Sequence, residues 1–395
     1  MIISPKTRGF ICTTAHPIGC AKNVEQQIDF VKAQGQFKGP KNVLVIGAST
    51  GYGLASRIAA TFGAGAKTIG VSFEKASENG RTASAGWYNT AAFEQLAHRE
   101  GYYAKSINGD AFSKAIKQQT IDLIRKDLGS IDLIIYSLAS PRRVHPDTGN
   151  IYSSVLKPIN QSFTSKSVDP LRKEIKEINI EPATTEEIAD TLQVMGGEDW
   201  AMWIDSLAQE NLLTEGVITM AYDYIGPVLT HPIYKNGTIG KAKDHLHQTA
   251  AALNETLKKY NGQALLSVNK AVVTQASAAI PVVPLYISLL YKIMKNKGSH
   301  EGCIEQIARL LKSKVYTGNS IALDDEGRIR MDDYEMQQDV QQKIVELWPL
   351  VTSENIEEIT DIDGYCKEFY RLFGFDVEGV DYQAEVNPEV AIPSI

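Results

Sequence analysis

VLVIGASTGYGLASRIAATFGAGAKTIGVSFE, residues 43–74, reads as a strand, a glycine-rich turn, a helix and a second strand that ends on a glutamate. Val43 to Ile46 form a short apolar run of buried-strand type. Gly47, Gly51 and Gly53 follow where the chain must turn sharply and where a pyrophosphate can come close to backbone N–H groups. The helix that begins near Tyr52 aims its positive end at such an anion. Glu74, 21 residues after Gly53, sits where an acid can accept hydrogen bonds from the ribose 2′- and 3′-hydroxyls of an adenine dinucleotide. The stretch is therefore one complete dinucleotide-binding unit. A carboxylate repels a 2′-phosphate, which favours NADH over NADPH; Lys75 and Arg81 are the cations that oppose that preference.

Outward from this unit, the chain of 395 residues has 43% hydrophobic and 22% charged residues and a formal net charge of −7, an ordinary balance for a globular enzyme. It offers no electrostatic case for nucleic acid or anionic membrane. No run of about 18 apolar residues and no signal core in MIISPKTRGF point away from the cytoplasm. Cys12, Cys20, Cys303 and Cys366 are too few and too scattered for a disulfide framework. Cys12, His16 and Cys20 recur every four residues, but Pro17 and Gly19 argue against a helix there and a fourth ligand is missing, so no metal is expected. His245 and His247 read as a solvated pair.

The order of elements continues the alternation. A helix over 88–101 leads to a third strand at 103–108, and a helix over 112–128 leads to the most apolar strand, 131–138. Asp110 and Ala111 leave the third strand where the adenine would lie, and Leu138 and Ala139 leave the fourth at the ligand end of such a sheet. The polar stretch 141–195 breaks the alternation and is read, with the helix over 197–211, as an insertion (141–211) at the active-site mouth. Its Arg142 and Arg143 face either an anionic ligand or solvent, and Trp200 and Trp203 pack. A fifth strand at 216–224, a helix from 239, a sixth strand at 263–269 and a mostly helical part from 282 to 395 (282–296, 300–314, 332–347 and 363–373) complete one extended Rossmann-type domain. The fold class is α/β, an enlarged, short-chain-dehydrogenase-like doubly wound parallel sheet with extra helices.

Tyr234 and Lys243 carry the chemistry. Nine positions on one ideal helix is half a turn out of phase, so the two converge only if Tyr234 precedes the helix. Asn236-Gly237 is a turn signal and Thr238 a plausible N-cap, which supplies that break. An ammonium beside a phenol stabilises its charged form and makes it a usable proton donor. Tyr291 and Lys295 have the Tyr-x-x-x-Lys spacing of ordinary short-chain dehydrogenases, yet they follow the sixth strand in a buried-looking apolar helix. Tyr224, last on the fifth strand before Ile225-Gly226-Pro227, is the better of Tyr222 and Tyr224 for a substrate contact. Asp223, between them, is an unexpected acid beside such a site.

GASTGYG at 47–53, GRTASAGWYN at 80–89, YSLASP at 136–141, SVLKPI at 154–159, YIGP at 224–227 and Tyr234-x8-Lys243 resemble the FabV class of enoyl-[acyl carrier protein] reductases and the closely similar trans-2-enoyl-CoA reductases, essentially from end to end. The resemblance implies an NADH-dependent monomer that reduces the 2,3-double bond of trans-2-enoyl thioesters in fatty acid biosynthesis, carried on acyl carrier protein or on coenzyme A. It implies that Gly47, Ala48, Ser49, Thr50, Gly51 and Tyr52 hold the pyrophosphate, Phe73 and Glu74 the adenosine, Asp110 and Ala111 the adenine, and Leu138 and Ala139 the middle of the cofactor. Val273, Thr274 and Gln275 would approach the nicotinamide, Lys243 would bind NADH, Tyr224 the substrate, and Tyr234 would donate the proton. The rivals are a carbonyl-reducing short-chain dehydrogenase and a non-catalytic NADH-binding protein.

Overall fold

Apolar runs rich in Val, Ile and Leu, too short for helices and buried on both faces, pair side by side as a parallel sheet in a computed structural model that describes residues 1–8 and 11–395. Its seven strands are β1 (Asn42–Ile46), β2 (Lys67–Ser72), β3 (Ala104–Asn108), β4 (Ile131–Tyr136), β5 (Leu213–Asp223), β6 (Gln263–Val268) and β7 (Arg328–Arg330). They lie in the order β7-β6-β5-β4-β1-β2-β3. The direction of winding reverses between β1 and β4, which run in register with Val45 opposite Ile135 and Ile46 opposite Tyr136. A ligand crevice is expected outside the carboxyl ends of those two strands.

Strand alternation sorts the core into two layers. Val43, Val45, Leu133 and Ile135 face α1 (Pro17–Ala33), α2 (Gly51–Ile58), α3 (Ala85–Arg99) and α10 (Cys303–Leu310). Leu44, Ile46, Ile134 and Tyr136 face α4 (Lys114–Asp127), α6 (Glu198–Gln209) and α7 (Thr238–Leu257). Trp200 and Trp203 of α6 are fully buried in this second layer, and the Trp200 indole N–H donates to Thr219 Oγ1 at 2.8 Å. A third cluster joins α9 (Val283–Lys297), α11 (Gln338–Leu347) and α13 (Ile362–Arg371) to Ile233 and Tyr234 beyond the end of the sheet.

Several expectations are corrected. The helix α1 starts at Pro17 itself: proline lacks the N–H that a first turn leaves unpaired, and His16 Nδ1 accepts from the Gly19 N–H at 3.1 Å. The span 332–347 is helical only from Gln338, because the Met331 and Asp332 N–H groups both go to Val268 O at the edge of the sheet. Strand β7, which those bonds extend, had no legible pattern in three residues. Residues 141–211 hold two antiparallel hairpins (Arg142–Val144 with Ile151–Ser153, and Phe163–Asp169 with Glu174–Ile180), then α5 (Thr185–Met195) and α6. Among the described residues no helix is long and apolar enough to cross a membrane, and no His, Cys, Asp and Glu cluster could hold a metal ion.

Candidate active site

Gly47 ends β1 with φ +84, and a Cβ there would stand 2.4 Å from Ser137 O, so only glycine lets β1 and the exit of β4 come this close. The Gly47 and Ala48 N–H groups are taken by Val71 O. Thr50 is the N-cap of α2 and makes no side-chain cap bond, which leaves the first N–H groups of that helix for an anion. Tyr52 departs from a direct cofactor role for its side chain: its hydroxyl donates to Lys270 O at 2.7 Å and its ring packs against Tyr222. Only its backbone faces the turn.

Glu74 is held from three sides. Ser49 Oγ donates to Oε1 at 2.6 Å, Ser84 Oγ donates to Oε2 at 2.5 Å, and the Glu74 N–H donates to Asn108 Oδ1 at 2.7 Å. Beside it Phe73 is 76% exposed, a free aromatic face at the same strand end. Asp110 Oδ1 accepts from the Phe112 N–H at 3.0 Å in a tight turn, Ala111 is buried, Leu138 is half-buried and Ala139 exposed. On the other side of the crevice, Thr274 Cγ2 lies 3.7 Å from where a Cβ on Gly51 would be. Thr274 caps the short helix α8 (Gln275–Ala278), and the buried Val273 N–H donates to the Tyr291 hydroxyl at 3.2 Å. Gln275 is exposed. These positions form the rim expected of a dinucleotide cradle: a glycine turn, an open helix N-terminus and a fixed acid.

Tyr234 precedes α7, as its spacing to Lys243 requires. It lies on the turn between Pro227 and Thr238, with its N–H donating to Thr230 O at 3.0 Å. Thr238 is not the N-cap; it is the first helical residue, and its hydroxyl donates instead to Val155 O in the insertion. Gly240 fixes the turn upon the helix, since a Cβ there would sit 1.9 Å from Lys235 O and 2.7 Å from Tyr234 O. The Tyr234 and Tyr224 rings meet edge to face with centroids 4.9 Å apart. Burial first, and then the negative charge of Asp223, push the Tyr234 phenol up rather than down, so the hydroxyl stays protonated. This reverses the expected influence of Lys243.

Lys243 donates to Tyr222 O at 2.8 Å and lies 3.8 Å from Asp223 Oδ1. Burial lowers its pKa and the Asp223 charge opposes that. Asp223 thereby finds its explanation. It points to α7, where its Oδ2 lies 3.0 Å from His247 Nε2 and its Oδ1 accepts from the Tyr224 N–H at 2.8 Å. Burial would raise the Asp223 pKa, but the His247 hydrogen bond and the Lys243 charge outweigh it and hold the carboxyl below its ordinary value.

The histidines are therefore no solvated pair: His245 Nδ1 accepts from the Gly197 N–H at 3.0 Å and His247 joins the site. The legible signal was the four-residue step from Lys243 to His247, which places both on one helix face. Tyr291 is buried and Lys295 is paired with Asp361 at 2.6 Å, so that pair is occupied elsewhere. Arg143 is buried against Glu198 at 2.6 Å, while Arg142 is exposed. Glu335, Tyr286, Lys270, Ser84 and Asn108 were missed, because isolated polar residues carry no periodicity that foretells their burial.

Residues 81–316 match the family model described as the trans-2-enoyl-CoA reductase catalytic region, and residues 2–79 match the NAD(P)H binding domain of trans-2-enoyl-CoA reductase. The enoyl-[acyl-carrier-protein] reductase [NADH] of Flavobacterium johnsoniae is 60% identical over the whole of both chains. The trans-2-enoyl-CoA reductase [NADH] of Ruminiclostridium cellulolyticum is 57% identical, again over the whole of both. The crystal structure of Treponema denticola trans-2-enoyl-CoA reductase in complex with NAD superposes with a TM-score of 0.95 at 53% identity, covering 98% of each chain. Residues 323–386 match a model described as an enoyl reductase FAD binding domain. They do not fit a flavin: the segment contributes the edge strand β7 and helices packed on α9, with no glycine turn that joins a strand end to a helix N-terminus.

Proposed function

This chain belongs to the trans-2-enoyl-CoA reductase family, which includes the NADH-dependent enoyl-[acyl-carrier-protein] reductases, and on that premise we propose that it reduces the 2,3-double bond of trans-2-enoyl thioesters with Tyr234 as the proton donor. NADH, when bound, supplies the hydride that goes to the β-carbon. The glycine turn at Gly47–Gly51 and the N-terminus of α2 hold its pyrophosphate, Phe73 and Glu74 its adenosine, Asp110 and Ala111 its adenine, and Leu138 and Ala139 its middle. Val273, Thr274 and Gln275 border the nicotinamide, and Lys243 binds its ribose.

As the β-carbon gains hydride, negative charge develops on the thioester oxygen. Tyr234, a protonated phenol in a buried site, donates to that oxygen, and Tyr224, edge to face beside it, contacts the substrate. A hydrogen bond aimed at developing charge inside a water-poor site is worth roughly 3–4 kcal/mol of barrier. The enolate then collapses to the saturated thioester as its α-carbon takes up a proton that Tyr234 supplies and regains from solvent. The observation that carries this reading is the turn-broken pair itself, Tyr234 set on α7 by the bare Cα of Gly240 with Lys243 one and a half turns into the helix.

The insertion 141–211 forms part of the mouth. Its support is contact with the Tyr234 turn: the Thr238 N–H donates to Lys157 O at 3.0 Å and Pro158 bridges to Gly237. Acyl carrier protein and coenzyme A present the same phosphopantetheine arm, so both carriers suit one site. A cytoplasmic monomer belongs to the same reading and rests on the family resemblance; light scattering checks the monomer.

Tyr234→Phe tests the assignment. It keeps the ring and the packing, so NADH binding is retained while turnover of a short enoyl-CoA falls by about 100-fold or more. Wild-type turnover by that variant contradicts the assignment.

A further inference from the structure

Glu335 lies fully buried between β7 and α11, behind the pair of site tyrosines. Its Oε2 accepts from the Ala271 N–H at 2.7 Å; its Oε1 is 3.0 Å from the Tyr224 hydroxyl and 2.5 Å from the Tyr286 hydroxyl. Gln341 Nε2, which can only donate, lies 3.2 Å from the Tyr286 hydroxyl. These contacts fix where each proton can go.

Tyr286 receives from Gln341, so its own O–H is directed to Glu335 Oε1. The one hydrogen-bond partner of Oε2 among the described residues is the Ala271 N–H, a donor that offers an acidic proton no acceptor, whereas Oε1 faces hydroxyl oxygens that can accept, so the acidic proton sits on Oε1. Tyr224 has a single proton. If Glu335 is ionised, that proton points back at Oε1, and Tyr224 offers substrate only lone pairs. If Glu335 is neutral, Oε1–H donates to Tyr224, and the Tyr224 O–H is turned out to the substrate side.

We propose that Glu335 is a positioning residue that works in its neutral form, holding Tyr224 by donating to it and so aiming the Tyr224 proton at the thioester oxygen. The inference rests on the reading of Tyr224 as a substrate contact. The titratable groups around the carboxyl are Lys270 from the loop after β6, Tyr52 from α2, Tyr286 from α9, Tyr224 from the end of β5 and Asp332 on its own segment. None makes an ion pair with it among the described residues. Burial is the largest influence and raises the Glu335 pKa, the Lys270 charge opposes it, and Lys270 itself, buried and donating to Ala271 O, is pushed down to about 8.

Profiles of kcat/KM against pH for the wild type, Glu335→Gln and Tyr224→Phe, with NADH and a short enoyl-CoA, test this. A Gln fits with its carbonyl on the Ala271 N–H and an amide N–H on the Tyr224 hydroxyl, a fixed imitation of the neutral acid toward Tyr224, while its amide nitrogen cannot accept the Tyr286 O–H. The wild type falls, above a break that lies higher than the ordinary carboxylate range, to the level of Tyr224→Phe. Glu335→Gln turns over more slowly but lacks that break, and Tyr224→Phe has a plateau lowered about tenfold or more, also without the break. The same break in Glu335→Gln, or a Glu335→Gln plateau as low as that of Tyr224→Phe, overturns the proposal. Tyr224→Phe at full wild-type rate removes its premise instead, which is a separate failure. In the infrared difference between wild type and Glu335→Gln at neutral pH, the wild type carries a buried carboxylic-acid band that shifts in deuterium oxide; its absence overturns the proposal.

Discussion

In the proposed reading, Glu74 selects NADH over NADPH. Two serine hydroxyls and an asparagine hold it at the strand end, so it cannot swing aside to admit a 2′-phosphate without breaking the bonds to Ser49 and Ser84. Like charges brought together cost several kcal/mol. Glu74→Ala is expected to narrow the preference for NADH over NADPH by about tenfold or more, measured as the ratio of kcat/KM values, with little loss in NADH turnover. Asp223 acts at the same scale through charge. Its folded pKa lies below its unfolded value, so it stabilises the fold above the ordinary carboxylate range, and that contribution is lost as pH falls through the folded value. Asp223→Asn is therefore expected to flatten the loss of stability on acidification and to weaken NADH binding, through the displaced Lys243. Thermal melts against pH and NADH titration check both parts.

At the scale of elements, the turn before α7 is the device that makes a tyrosine and a lysine nine positions apart work together. Gly240→Ala places a methyl group against Lys235 O and Tyr234 O, and relief of that contact must move the turn or unwind the first turn of α7. The expected cost is about 1–3 kcal/mol of stability, with turnover lost more than NADH affinity, read from melts and steady-state kinetics. The break itself was legible, because Asn236-Gly237 announces a turn and half a helical turn of mismatch forbids a continuous helix. Much of the nucleotide half was equally legible, since its strands are buried on both faces and read as unbroken apolar runs. The hairpins of 141–180 were not: with faces that are mostly half-buried or exposed they have no apolar period to betray them. The Glu335 network was illegible for a different reason, since residues from β5, the β6 exit, α9 and the stretch after β7 meet only once the sheet has assembled.

Across the whole molecule, residues 388–394 are drawn to the nucleotide half. Ser394 donates its N–H and Oγ to the two oxygens of the buried Glu94, at 3.0 and 2.8 Å, and accepts from the Ser106 N–H of β3. The Trp87 indole and the Tyr88 hydroxyl of α3 donate to Val390 O and Pro388 O. Removing Pro393–Ile395 strips Glu94 of two charge-assisted bonds and is expected to cost about 1.5–3 kcal/mol per bond at most, seen as a lowered Tm. Lys270 places the opposite mark on stability. Its folded value of about 8 lies below its unfolded one, so the unfolded chain holds the proton above pH 8 when the folded chain does not, and stability gains from this group as pH rises through that window. The most direct test of what the crevice does is to follow deuterium from the C4 position of labelled NADH into the product of a trans-2-enoyl thioester. The account predicts a saturated thioester with the label on the β-carbon; a label elsewhere, an alcohol or aldehyde product, or no thioester-dependent oxidation of NADH contradicts it.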